Sequence, residues 1–140
     1  MNDTYYVKTY KPLAVWSVLF IGISIGAAIV GSRYLDHDIL SKMIMMVINL
    51  GIVGLFYLIY KGEYVYWING GPQFEEAYEA GSHRRRQYAL AHLKLFVVAG
   101  TVVNVFMIVS MIWVLPYYVD LIVFAAGMIV AAIRSMKIRF

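Results

Sequence analysis

KGEYVYWINGGPQFEEAYEAGSHRRRQYALAHLK, Lys61–Lys94, is the one long polar stretch in a chain of 140 residues, and it divides the remainder into two apolar pairs. It holds the acidic run Glu75, Glu76 and Glu79, three consecutive arginines (Arg84, Arg85, Arg86) and two of the three histidines, His83 and His92. Asn69-Gly70-Gly71-Pro72 reads as a turn entering a helix. Proline is tolerated in a first helical turn, and Glu75 and Glu76 then lie near the positive end of the dipole. Phe74 and Tyr78, spaced i, i+4, share one face of that helix. Gly81 predicts its stop and Ser82 the N-cap of the next helix. No glycine or proline occurs between Ser82 and Gly100. The third long helix is therefore expected to start in water and run straight into a bilayer.

The residues on either side supply the bilayer reading. Hydrophobic residues make up 62% of the chain and charged residues 14%, with a mean hydropathy of +0.72. A soluble domain carries about 25% charged residues to cover its surface. Apolar runs fall at 13–31, 39–60, 95–115 and 117–134. The first, Leu13 to Gly31, spans about 28 Å as a helix, close to the ~30 Å of a hydrocarbon core. Tyr57, Tyr60, Tyr64, Tyr66, Trp67 and Trp113 mark interfaces, where amphipathic rings favour headgroup depth. The expected fold is an all-α integral membrane protein, one four-span domain over 1–140. It forms two hairpins, with a helical cytoplasmic or interfacial segment at 61–94. The N-terminal residues, which include Asp3, Lys8 and Lys11, precede too long an apolar run for a cleavable signal, so the first span is expected to be retained.

Charge sets the expected orientation. Four spans put both termini and the central segment on one side, which collects ten lysines and arginines against Arg33 and Lys42 on the other. The positive-inside bias places that side, and both termini, in the cytoplasm.

Candidate chemistry is sparse. The chain has no cysteine, which excludes disulfides, thiolate metal sites and cysteine nucleophiles. Asp36, His37 and Asp38 are adjacent in a turn and read as solvated, since neighbouring loop residues do not converge on one ion unaided. His83 and His92, nine residues apart, point to opposite sides of a helix and read as interfacial side chains, not haem ligands. HExxH and P-loop patterns are missing, and no family signature is specific enough to name. No catalytic, cofactor or metal residue is assigned, and no cofactor is expected.

Three features remain. Gly22 and Gly26 form a GxxxG spacing in a span rich in small residues, which lets another helix backbone approach closely. Asn49 and Asn104 fall near the middle of spans two and three, where they can bond across the bundle or line a polar path. No ionisable residue is read as lying deep in any span, which counts against proton antiport. Arg84–Arg86 can anchor to anionic headgroups, pair with Glu75, Glu76 and Glu79, or dock a phosphate-bearing lipid or acidic partner.

The sequence thus points first to a small accessory subunit packed into a larger membrane assembly. It would dock through small-residue helix faces and the acidic and basic patches of the central segment. The alternative is a small homo-oligomeric channel or transporter with a path past Asn49 and Asn104. A third class is an enzyme acting on lipid headgroups at the arginines. Expected partners are anionic lipid headgroups at the cytoplasmic face and other membrane subunits or copies of the chain. Nucleic acid is not among them.

Overall fold

The computed structural model describes residues 6–140, so Asp3 lies outside the described residues. Among these residues the chain is all-helical, with no strand. The helices are α1 (Lys11–Gly31), α2 (His37–Gly62), α3 (Phe74–Glu79), α4 (Gly81–Ile112) and α5 (Tyr117–Ser135), with a 3-10 turn at Val65–Trp67. Helices α1, α2, α4 and α5 are long and apolar enough to cross a membrane.

The helix ends follow local chemistry. Pro12 occupies the first turn of α1, where its missing N–H costs nothing. Helix α2 stops where Glu63 takes a left-handed φ of 58°. Gly81, at φ +77°, breaks α3 from α4, as the sequence indicates. Ser82 is not the expected N-cap: its hydroxyl donates to Glu63 Oε1 at 2.6 Å, across to the end of α2. The 32 residues of α4 extend about 48 Å, well beyond a ~30 Å hydrocarbon core. Helix α4 ends at Ile112, three residues short of Leu115, because Val114 enters the left-handed region at φ 55°. Pro116 then leads directly into α5.

Helices α2 and α4 form the most extensive contact; α5 rests on both, and α1 packs chiefly on α2. Helix α1 buries none of its residues. It is held by aromatic rings laid on glycines: Phe20 covers Gly51 and Trp16 covers Gly54, leaving no room for a Cβ at either. At the loop end Leu40 of α2 covers Gly31 of α1 in the same way, so small residues of both helices bring them together. Gly22 and Gly26 face away, with nothing within 4 Å of where a Cβ would stand.

One end of the bundle is capped by the central segment and both described chain ends. Ile59, Val65, Ala77, Tyr88 and Ala89 make a buried cluster, closed by Tyr6, Trp67, Ile138 and Phe140. Tyr66 and Trp67 also bind the N-terminal strap: the Tyr66 hydroxyl and Trp67 Nε1 both donate to Thr9 O, at 2.9 and 3.1 Å.

Candidate functional site

Lys42, Asn49, Phe56 and Glu63 recur along α2 at seven-residue intervals, which places them on one helix face about 10 Å apart. That face meets α4 in antiparallel register. The result is a seam of three polar layers, with apolar layers between them.

The first layer lies at the end far from the central segment. Lys42 is 2% exposed, and Asp120 and Ser110 are fully buried. The Lys42 ammonium lies 3.3 Å from Asp120 Oδ2. It donates to Ser110 Oγ at 2.9 Å and to the carbonyls of Ser110 and Leu115. Ser110 Oγ in turn donates to Asp120 Oδ2 at 2.8 Å. The buried Lys42–Asp120 pair is a contact the sequence did not indicate, and it lies toward the ends of α2 and α5 rather than deep in either span. Helix α2 begins at His37, so Lys42 is already in its second turn and on the seam. The carbonyls it binds belong to the end of α4 and the turn after it, and Ser110 O also accepts the Leu115 N–H at 3.0 Å. Lys42 thus joins three elements: α2, the α4 terminus and the first turn of α5.

The middle layer joins the two asparagines. Asn49 Nδ2 donates to Asn104 Oδ1 at 2.7 Å and to the Gly100 carbonyl at 2.8 Å. Gly100 makes room for this: a Cβ there would stand 3.1 Å from Asn49 Oδ1 and 3.0 Å from Val53. Buried Met45 and Met107 separate this layer from the Lys42 layer. Phe56 and Phe96, stacked at 3.9 Å, close the other side.

The third layer caps α2. Glu63 is 2% exposed and receives Arg85 Nε on Oε2 and Arg86 Nε on Oε1, each at 2.8 Å. Arg85 is buried as well; it donates to Ala77 O and lies 3.9 Å from the Tyr6 ring centre. The Tyr6 hydroxyl donates to Glu63 O at 2.9 Å. Burial by itself raises the Glu63 carboxyl pKa. Hydrogen bonds from Ser82, Arg85 and Arg86, with the Arg85 charge, outweigh it and hold the group below the usual carboxylate value. Burial pushes the Tyr6 phenol well above its ordinary range, against the opposing pull of Arg85.

The arginines therefore meet a carboxylate other than the expected ones. Glu75, Glu76 and Glu79 are exposed and form no ion pair among the described residues. Arg84 instead donates to Phe140 O at 2.8 Å and lies over the Phe140 ring. His92 is corrected too: it is buried between Phe56 and Tyr88, because α4 packs on α2 even where it precedes the apolar run. His83 is exposed.

Lys42, Glu63, Ser110 and Asp120 are the site residues that sequence reasoning missed. The signal that finds Lys42 and Glu63 is their seven- and fourteen-residue spacing from Asn49 on α2, read through the boundaries of the apolar run; Ser110 and Asp120 carry no such signal. As chemistry, the seam is a set of local polar contacts separated by methionine and phenylalanine layers, with Asn49 Oδ1 and Asp120 Oδ1 buried and without a hydrogen-bond partner among the described residues. It offers no continuous hydrophilic path along α2 and α4. No family model, no curated protein and no solved structure matches this chain.

Proposed function

We propose that this chain is a small accessory subunit of a larger membrane assembly, inserted as a multi-pass protein with both termini and the central segment in the cytoplasm. The observation that carries the reading is the contrast between its core and its first helix. The seam residues of α2 and α4 bond to one another, whereas α1 buries no residue and leaves Gly22 and Gly26 open. A 21-residue apolar helix held mainly by side chains laid on Gly31, Gly51 and Gly54 has most of its surface available to protein or lipid. Small residues on such a face are the kind that lets a second helix approach closely.

Two further facts support the placement. The central segment, the N-terminal strap and the C-terminal residues share one end of the bundle, where ten positive residues collect. At the other end Lys42 is neutralised by Asp120, which leaves Arg33 as the exposed loop cation and deepens the asymmetry. The alternative of a channel past Asn49 and Asn104 has less support, since the two amides bind each other and apolar layers close both sides.

The test is purification from native membranes in mild detergent, with mass spectrometry of whatever accompanies the chain. Wild type is expected to bring down a membrane partner. Gly22→Leu/Gly26→Leu is expected to release it without lowering the chain's own melting temperature. A wild-type chain that runs alone as a monomer overturns the proposal.

A further inference from the structure

An apolar groove of about 430 Å³ runs between α4 and α5 on the outer face of the bundle. Its buried or half-buried floor is Ala99, Gly127 and Ala131, and its exposed rims include Val98, Val102 and Val130. Small floor residues let the two helices sit close below the surface; a Cβ on Gly127 would stand 2.7 Å from Val103. Along α5 the groove extends from Val123 to Arg134, eleven residue steps or about 17 Å. That is about half of a ~30 Å hydrocarbon core, the depth of a single leaflet.

The groove is polar at one end only. Arg134 lines it where α5 leaves the hydrocarbon, and Lys94 precedes the lining residue Leu95 on α4. The antiparallel register that sets Val103 against Gly127 brings Lys94 close to the level of Arg134. Both side chains are exposed, and neither has an ion-pair partner among the described residues. The groove between α1 and α2, about 350 Å³ and lined by residues such as Ala27, Leu40 and Val47, has no charged residue in its lining. It provides an internal comparison.

We infer that the α4–α5 groove is a binding site for an anionic phospholipid. One acyl chain lies along the alanine and glycine floor, and the headgroup phosphate is held by Arg134 and Lys94. A partner transmembrane helix is the weaker fit, because it needs a complementary face over the full hydrocarbon thickness and this groove stops after one leaflet. The site is separate from Arg84–Arg86, whose members engage Phe140 and Glu63. It does not depend on whether the chain has protein partners.

The experiment is native mass spectrometry of the full chain in mild detergent, titrated with phosphatidylglycerol or with phosphatidylcholine of the same acyl chains. Wild type is expected to retain one phosphatidylglycerol in clear preference to phosphatidylcholine. Loss of each cation should cut that preference about five-fold, so Lys94→Gln/Arg134→Gln should approach parity between the lipids. Ala126→Phe, at an exposed lining position, should reduce retention of both lipids by filling the groove. Equal retention of the two lipids by wild type overturns the inference, as does an undiminished preference in the double glutamine variant. A dimer that Ala126→Phe dissociates, without a lipid adduct, overturns it in favour of a second copy as the occupant. Both cations are exposed, so the double variant remains informative even if Ala126→Phe fails to fold.

Discussion

Lys42 and Asp120 show how a buried pair behaves when one member is removed. Neutralising one partner leaves the other charged in a dry site, which costs about 3–5 kcal/mol, whereas replacing both by apolar residues is often close to neutral. Lys42→Met is therefore expected to lower stability by that amount in detergent melting, and Lys42→Met/Asp120→Leu to recover most of it. A double variant no better than the single one would remove the ion pair as the reason for Lys42. The asparagine layer is a smaller term. Asn49 and Asn104 should couple by about 0.6 kcal/mol, with about 2 as a ceiling. A double-mutant cycle on Asn49→Leu and Asn104→Leu measures this; zero coupling would contradict the 2.7 Å bond.

At the scale of the element, α1 and α4 contrast. Helix α4 is fixed along its length by the seam, from Arg85 to Ser110. Helix α1 is held mainly by Phe20 and Trp16 over Gly51 and Gly54, with Leu40 over Gly31 at its end. A side chain on Gly51 has no space, since rings occupy it, so Gly51→Leu should displace α1 while α2, α4 and α5 stay together. Disulfide trapping between cysteines placed at exposed neighbouring sites on α1 and α2 reads this directly: efficient in wild type, lost in Gly51→Leu. Retained trapping would mean that the ring-on-glycine contact is not what holds the helix. Substitution at Gly22 or Gly26, where a Cβ would meet nothing among the described residues within 4 Å, should leave trapping unchanged.

For the molecule as a whole, the cap formed by the central segment should set the pH range of stability. Glu63 is held below its ordinary value of 4.5, so its contribution is present above that pH and is lost as pH falls through the lower folded value. Tyr6 is raised above its ordinary value of 10.0, so its contribution is present below that pH and is lost as pH climbs above it. Melting temperature in detergent should form a plateau between these limits. Glu63→Gln should flatten the acid limb, and Tyr6→Phe should soften the alkaline limb, which Tyr66, also raised by burial, partly retains. An acid limb identical in Glu63→Gln and wild type would assign it to other groups.

The sequence by itself determined the helical class, the apolar character of four helices, the break at Gly81 and the continuous helix beyond it. Each depends on local composition or on a single residue's backbone preference. It also brought Asn49 and Asn104 to one depth, because hydropathy fixes distance along a helix. Tertiary structure alone decided which carboxylate meets which cation. Glu63 rather than Glu75, Glu76 or Glu79 faces Arg85, and Asp120 faces Lys42, because rotation about a helix axis is set by packing against α4. Hydropathy averages over that rotation. The polar segment Lys61–Lys94 accordingly changes character once folded. Three of its charges become a clasp, buried Glu63 and Arg85 with exposed Arg86, that ties the end of α2 to the start of α4.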